Sequence, residues 1–492
     1  MRIAIAAAEM VPFVKVGGLA DVIGALPREL ARLGHRVSVF LPRPPVLPTD
    51  RLPALSLSSL GSIDVPMGTG TMRAEVERAR IGVPGMEVLL IQNRDLFDRP
   101  DPYVDPATGQ DWPDNARRFV FFSRAVLEAM RSIGMVPEVV HCNDYQTGLV
   151  PFLMREDRSR YEALQRTGTL FAIHNMGYQG IFPPEVLAEL GVGYREKFFY
   201  TMGPLEYFGK VNFMKAAILY ADLISAVSER YAHEIQQPEY GFGLEGVLAL
   251  RGDDVIGILN GIDVEEWNPE TDPLIPANYS ASDLGPKREN KRRLLQAMEL
   301  PEGRSVPVIG MISRLVDQKG LDLIEESAKD LMQRDLALVV LGNGLPKYEK
   351  LLRDLARKHP HKVAVSLTFN NPLAHLIEAG SDMFLMPSRY EPCGLNQMYS
   401  LRYGTIPIVR ATGGLADTVQ EYDPDTGRGN GFVFTEYTSR AMLHAIDRAL
   451  AAYARDRAWK KLLSQVMRID FSWGRAAQKY VGAYQRAIES RL

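Results

Sequence analysis

Lys15 stands two residues ahead of a glycine pair, Gly17-Gly18. The run Gly17-Gly18-Leu19-Ala20-Asp21 returns letter for letter as Gly413-Gly414-Leu415-Ala416-Asp417. Each copy precedes a helical pattern. Paired glycines admit close backbone approach, and free N–H groups at a helix start favour a phosphate. A lysine beside such amides suits a diphosphate better than a neutral ligand. The plainer alternatives are two unrelated strand-to-helix turns and a solvated lysine. Arg314 and Lys319, in SRLVDQKG, follow the apolar run VPVIGMI. At the carboxyl end of a parallel strand they can close on a pyrophosphate, Arg as a fork and Lys as a point charge, or serve as ordinary surface charge. Glu391 lies in SRYEPCGLNQ, fixed by Pro392 and Gly394. A carboxylate in such a turn can accept from sugar hydroxyls or offset positive charge growing on a sugar ring. Cys393 reads as a small residue lining that turn. His174-Asn175 end the run TLFAIHN, and His141 and Asp144 sit similarly in VVHCNDYQTG. They are either capped structural residues or donors and acceptors at the ligand edge of a sheet.

Other chemistries lack their signatures. No C-x₂-C or H-x₃-H spacing marks a zinc site. Gly342-Asn343-Gly344 follows an apolar run but has no third glycine at the dinucleotide-binding spacing. Asp423-Pro424-Asp425 could hold a metal between phosphates, yet EYDPDTGRGNG reads as a solvated, turn-rich loop. No Walker lysine motif and no G-x-S-x-G elbow is present.

The elements that must position these residues are short apolar runs alternating with amphipathic stretches. In the front half the runs cover 2–8, 35–42, 87–93, 138–142, 169–175, 223–228 and 255–261, with helical patterns over 21–34 and 115–134. In the back half they cover 306–315, 336–344, 362–369, 382–388 and 405–411. This is the pattern of parallel sheets covered on both faces, in two doubly wound α/β domains. The Pro-, Asp-, Asn- and Ser-rich stretch 267–287 is expected to be the seam. Residues 66–92 suggest a hairpin inserted in the first domain. The 492-residue length allows two to four domains. Lys and Arg number 57 against 60 Asp and Glu, a net charge of −3, so no strong field draws nucleic acid or anionic lipid. No apolar run approaches the roughly 18–20 residues of a membrane span. Two cysteines, Cys142 and Cys393, exclude a disulfide scaffold and fit a reducing, cytoplasmic setting. Glu9 and Pro12 favour a buried first strand over a signal peptide for MRIAIAAAEMVPF.

Six blocks in order, KVGGLADVIGALPREL, HNMGYQG, LNGID, SRLVDQKG, PSRYEPCGLNQMYSLRYG and TGGLADTV, together resemble the bacterial glycogen synthases and plant starch synthases. These are retaining glycosyltransferases of the GT-B type. The terminal FSWGRAAQKYVGAYQRAIESRL resembles the family's last helix, which returns to the first domain. The resemblance implies an α/β fold of two Rossmann-like, doubly wound domains facing a deep interdomain cleft. Residues 1–265 would be the acceptor side, 266–470 the nucleotide-sugar side and 471–492 the returning helix, with hinges near 260–275 and 470. It also implies ADP-glucose as donor, an α-1,4-glucan such as glycogen as acceptor, and neither metal nor pyridoxal phosphate. A UDP-glucose-dependent or other retaining GT-B enzyme, or an inactive glucan- or nucleotide-binding paralogue, stands as the alternative.

The same resemblance assigns roles. Lys15 and the Gly17 and Gly18 amides would meet the donor diphosphate, and Arg314 and Lys319 would bind the same phosphates. His174 would contact the transferred glucose and the reacting centre. Glu391 would hold the glucose hydroxyls and the developing oxocarbenium. Asp21, Asn175, Asn260, Cys393, Gly394, Leu395, Gly413 and Gly414 fall on the donor side. Phe369 matches a position where an aromatic often lies against the base. Tyr103, Asp144 and Tyr145 would lie towards the acceptor. Two positions depart from the family: Val16 replaces a common Thr, and Tyr145 a frequent Trp. Many small-acceptor relatives carry a second Glu eight positions after the first; here that position is Tyr399, which favours a glucan synthase.

Overall fold

A computed structural model describes residues 1–191, 193–302, 306–368 and 370–492. The chain divides into two compact units, one of Met1–Asn260 with Trp473–Leu492 and one of Gly261–Ser472. The first boundary thus falls after Asn260, where 265 was expected, and the second after Ser472, where 470 was expected.

In unit 1 the main strands are β1 (Arg2–Ala6), β2 (Arg36–Pro42), β3 (Ser56–Met67), β4 (Gly70–Arg80), β5 (Met86–Gln92), β6 (Val139–Asn143), β7 (Gly168–Ile173), β8 (Leu223–Ala226) and β9 (Val255–Gly257). They form one sheet in the order β9-β8-β7-β6-β1-β2-β5-β4-β3. The pairs from β9 to β5 are parallel. These strands are apolar along their length because both faces are covered; every residue of β6 and of β7 is buried. The expected hairpin at 66–92 is larger than the sequence suggested, and it is not an insertion. β4 pairs antiparallel with both β3 and β5, while β5 also pairs parallel with β2. Alternation explains the antiparallel edge: Ala74, Val76 and Ala79 of β4 are buried while Arg73 and Glu75 are exposed.

Helix α1 (Gly18–Arg32) follows β1, and α2 (Asn115–Ser132) precedes β6. The last helix of unit 1 spans Trp473–Glu489 and buries Trp473, Ala476, Ala477, Tyr480, Ala483, Tyr484 and Ala487. That three-and-four spacing makes one apolar face, which joins Ile3, Ile5, Leu26 and Leu170 in a single core. Tyr484 OH lies 3.0 Å from Nδ1 of the buried His141. His141 is therefore a core residue, tied to the end of the chain.

Unit 2 holds β10 (Val308–Ile312), β11 (Ala337–Leu341), β12 (Val363–Ser366), β13 (Met383–Met386), β14 (Ile406–Arg410) and β15 (Phe432–Phe434). The sheet is parallel throughout, in the order β12-β11-β10-β13-β14-β15. β15 has no counterpart among the runs read from the sequence.

The stretch 267–287 is not a linker. It lies wholly inside unit 2. Trp267 stacks between His375 and Tyr399, with ring centroids 3.9 and 4.0 Å away. Asp272 accepts from Tyr403 OH at 2.6 Å and pairs with His375 Nδ1 at 2.8 Å. Lys287 Nζ is buried and donates to Ala379 O, Tyr403 O and Thr405 Oγ1. Its polar composition builds local turns, such as Leu274 N to Asp272 Oδ1 and Asn278 Nδ2 to Asp272 O, and those turns aim three large side chains inward.

Among the parallel strands the winding reverses between β6 and β1 in unit 1 and between β10 and β13 in unit 2. Chains leaving neighbouring strands there diverge to opposite faces, which opens a crevice at the carboxyl ends. The loops that leave these four strands carry Lys15, Asp144, Arg314, Lys319 and Glu391, while His174 and Asn175 leave the adjacent β7 and Gly413 and Gly414 leave β14. Among the described residues no helix is long and apolar enough to cross a membrane.

Candidate active site

In unit 1 the loop leaving β1 carries Glu9, Lys15, Gly17 and Gly18. Lys15 is exposed, and its Nζ pairs with Asp21 Oδ1 at 2.7 Å on the first turn of α1. The Gly17 amide is not open to an anion. Glu9 Oε2 accepts from Val16 N at 2.6 Å and from Gly17 N at 2.9 Å, while Tyr103 OH donates to Glu9 Oε1 at 2.6 Å. Burial pushes the Glu9 carboxyl up, and the tyrosine and amide bonds oppose it. The Tyr103 hydroxyl is pushed well up by burial and by the Glu9 charge.

The loop leaving β6 carries Asp144, at φ 53 and ψ −177. A non-glycine residue rarely holds that backbone without outside support. Its Oδ1 accepts from His174 N at 2.7 Å, and the Asn175 amide also donates to the carboxylate. Burial nonetheless raises Asp144 to about 7, with the Glu9 charge adding to the rise. His174 Nε2 is 2.9 Å from Asn143 Oδ1, and Asn143 Nδ2 donates to Ala6 O at 3.1 Å. The second bond fixes the amide, so the proton sits on Nε2 and the Nδ1 lone pair is left over. Desolvation lowers His174 to about 3, which keeps the ring neutral at physiological pH. Asn175 Oδ1 caps Gly177 N at 2.9 Å. Tyr145 lies beneath the surface, 8% exposed, its ring against Phe119, Phe182 and Gly180. It is floor rather than an open acceptor platform. Asn260 is buried at the end of unit 1, its Oδ1 unpartnered among the described residues.

In unit 2 Arg314 follows β10, is exposed, and makes no side-chain hydrogen bond or ion pair among the described residues. Its loop is held by Ser313 N to Leu341 O, Leu315 N to Asn343 O and Leu345 N to Leu315 O. This explains Gly342-Asn343-Gly344: a Cβ on Gly342 would lie 1.8 Å from Ser313 O, and one on Gly344 2.5 Å from Leu315 O. The pair discarded as a dinucleotide signature instead seats the arginine loop.

Lys319 Nζ and Glu391 Oε2 form an ion pair at 2.6 Å, and Ser388 Oγ donates to the same oxygen at 2.9 Å. Glu391 is 6% exposed. It stands just past β13, where the chain turns through Gly394 (φ 69) into α3 (Asn396–Arg402), with Leu395 as N-cap residue. Cys393 is buried, forms no disulfide and lines that turn.

Gly413 and Gly414 do not repeat the geometry of Gly17 and Gly18. They open α4 (Gly413–Thr418), only six residues long. Gly414 N already donates to Glu391 O and Pro392 O. A Cβ on Gly413 would lie 1.9 Å from Glu391 O, and one on Gly414 2.0 Å from Cys393 O. This glycine pair lets two backbones touch and so fixes the Glu391 turn. Phe369 lies outside the described residues.

Asp423 folds back on itself, accepting from Asp425 N and from Thr426 Oγ1. Among the described residues no group of three or more His, Cys, Asp or Glu could hold a metal ion.

The sequence reading missed Glu9, Asn143, Ser388 and Trp267. A carboxylate three residues past a parallel strand was the available signal for Glu9. Ser388 carries none beyond lying three residues before Glu391.

Comparison with known proteins identifies the family. Residues 2–250 match the family model for the starch synthase catalytic domain, and residues 296–462 match that for glycosyl transferases group 1. The glycogen synthase of Koribacter versatilis is 47% identical over 493 residues, covering 100% of this chain and 99% of the relative. That of Syntrophotalea carbinolica is 46% identical over 491 residues, covering 99% of each. Among solved structures, the catalytic domain of starch synthase IV from Arabidopsis thaliana, bound to ADP and acarbose, superposes with a TM-score of 0.90 at 34% identity over 99% of each chain. A sucrose-phosphate synthase from Thermosynechococcus elongatus shares the fold, with a TM-score of 0.61 at 17% identity over 99% of each chain. The chain belongs to the glycogen and starch synthase family, glucosyltransferases of GT-B fold that extend α-1,4-glucans.

Proposed function

We propose that the chain transfers glucose from ADP-glucose to the non-reducing 4-OH of an α-1,4-glucan, with retention of configuration. The observation that carries this reading is the Lys319–Glu391 pair at the switch point of unit 2, with Arg314 left unpaired on the neighbouring loop. A lysine paired with a carboxylate, and an unpaired arginine five residues before that lysine, suit a ligand with a diphosphate at one end and a sugar ring at the other.

In this mechanism Arg314 and Lys319 bind the diphosphate and offset the charge that builds on the leaving ADP. Lys15 and the start of α1 are the groups of unit 1 suited to donor phosphates. Glu391 accepts from glucose hydroxyls and stabilises the oxocarbenium character of the ring. His174, neutral and held by Asn143, offers Nδ1 to a glucose hydroxyl, and its backbone lies beside the reacting centre. The departing phosphate oxygen takes the proton of the incoming 4-OH on the same face, so configuration is retained. Asp144 and Tyr103 face the acceptor. We place the enzyme in the cytoplasm, in accord with its two buried cysteines, which form no disulfide.

A transfer assay tests the reading. Purified protein is mixed with glycogen and either ADP-glucose or UDP-glucose, labelled in the sugar, and label in precipitated polymer is counted. Incorporation from ADP-glucose is expected. Incorporation from UDP-glucose alone overturns the donor assignment. No incorporation from either, with ADP still bound, overturns the reaction.

A further inference from the structure

The carboxylate of Glu9 occupies a place where an anionic ligand was expected. β1 ends at Ala6, and the chain then closes a tight loop, Met10 N to Val14 O and Val14 N to Met10 O, tied to α1 by Val11 N to Ala20 O. The loop returns Val16 and Gly17 opposite Glu9. Two successive amides converge on one carboxylate oxygen, and the Tyr103 hydroxyl takes the other. Converging amides of this kind form a concavity that binds anions. Here the protein fills it with its own side chain, 4% exposed.

We propose that Glu9 is a positioning residue that sets the backbone of the donor loop and ties it to the acceptor side through Tyr103. The proposal rests on reading Lys15–Gly18 as the loop that meets the donor diphosphate. Three consequences follow from the geometry. A donor phosphate is kept off the Val16 and Gly17 amides. It is directed to the next two, Gly18 and Leu19 at the start of α1, whose N–H groups donate to nothing among the described residues. The Tyr103 ring is anchored by the same carboxylate, so movement of either segment is felt by the other.

A buried carboxylate that is merely structural predicts a lower melting temperature with both KM values unchanged. The test therefore reads KM and kcat separately for ADP-glucose and for glycogen, in the full chain, with melting curves confirming the fold. Glu9→Ala frees two amides and should raise the KM for ADP-glucose about tenfold. Glu9→Gln keeps an oxygen for the amides and an amide for Tyr103, and should restore that KM to within about threefold of the parent. Tyr103→Phe should raise the glycogen KM and, through Glu9, the ADP-glucose KM as well. In the Glu9→Ala background the tyrosine change should add nothing to the ADP-glucose KM, because the tie is already cut. An unchanged ADP-glucose KM in folded Glu9→Ala protein overturns the proposal, as does strict additivity in the double variant. If Glu9→Ala does not fold, an ADP-glucose KM unmoved by Tyr103→Phe overturns it. Lys15→Ala is the reference. If it raises the ADP-glucose KM and Glu9→Ala does not, Glu9 alone has failed. If neither does, the donor-loop reading has failed.

Discussion

Replacing Glu391 with alanine separates the two jobs joined in the Lys319–Glu391 pair. The carboxylate accepts from Lys319 Nζ at 2.6 Å and Ser388 Oγ at 2.9 Å. Its loss leaves an ammonium, on a side chain 18% exposed, without its counter-charge. Removing one partner of a buried pair costs about 3–5 kcal/mol. Lys319 retains a path to water, so the lower figure, about 3 kcal/mol, applies to the stability of unit 2. Turnover suffers separately. A preorganised charge aimed at charge that develops in the transition state is worth about 10²–10³ in kcat. ADP binding should move the other way: Lys319, released from Glu391, gives its whole charge to the diphosphate, and the Kd for ADP holds or falls. Labelled transfer at saturating donor yields kcat, calorimetric titration yields the ADP Kd, and melting curves report the fold. Glu391→Gln keeps the shape and an acceptor for Lys319, so it should recover stability without recovering kcat. A kcat within about threefold of the parent in folded Glu391→Ala protein refutes the role given to the carboxylate. An ADP Kd raised more than about tenfold refutes the electrostatic reasoning.

Arg314 is exposed and unpaired among the described residues, so Arg314→Ala should leave the melting temperature unchanged while weakening ADP by about ten- to hundredfold, the worth of one charge-assisted bond; calorimetry beside a melt checks both halves. Trp267→Ala removes the ring stacked between His375 and Tyr399 and should destabilise unit 2 by about 3 kcal/mol, read by denaturant titration. Acidification should destabilise unit 1. His141 and His174 have folded values near 3 against 6.5 when unfolded, so between those limits the unfolded chain binds two more protons at these sites and stability falls with falling pH. Asp144, raised to about 7 from 3.8, works against this, because the folded form takes up a proton first. Asp144→Asn should therefore steepen the acid loss by about one proton, roughly 1 kcal/mol per pH unit, in melts from pH 6.5 down to 5. Addition of a chelator should leave transfer unchanged; abolition would return attention to Asp423 and Asp425.

The regular part of the fold was legible because burial on both faces leaves a plain trace. Runs such as RIAIAAA and TLFAIHN have little choice but a central parallel strand. The charged candidates were legible for a related reason, since Arg314 and Glu391 stand within five residues of the ends of such strands. Three things were not. Composition marked 267–287 as a linker, because turn-forming residues look alike whether a turn is solvated or buried; that Trp267, Asp272 and Lys287 point inward depends on partners more than a hundred residues away. The two Gly-Gly-Leu-Ala-Asp copies share letters but not jobs. What the glycines of the second copy make room for is the backbone of Glu391 and Cys393, which no local pattern announces. Glu9 was legible only as an interruption in an apolar run, since its partners lie seven, eight and ninety-four residues ahead.

The Glu9 arrangement has a counterpart in unit 2, and the pair bears on mechanism. In each unit a group suited to an anionic ligand is already satisfied by a side chain of the same unit: the Val16 and Gly17 amides by Glu9, and the Lys319 ammonium by Glu391. A buried donor or cation left without a partner is costly, so a chain that must fold without its substrate supplies an internal one. The two cases differ in what the substrate can do next. Lys319 has other protons and 18% exposure, and it can add a phosphate oxygen while keeping Glu391 close enough to meet the sugar. The Val16 and Gly17 amides have one proton each, already spent on a carboxylate that is 4% exposed and also holds Tyr103. A phosphate could reach them only by expelling Glu9 into its own negative field. The unit 2 pair is thus built to open towards the donor, and the unit 1 carboxylate is built to stay. Kinetics should divide accordingly: changes at Lys319 and Glu391 fall on kcat and ADP affinity, whereas a change at Glu9 falls on how well the loop around it recognises both substrates.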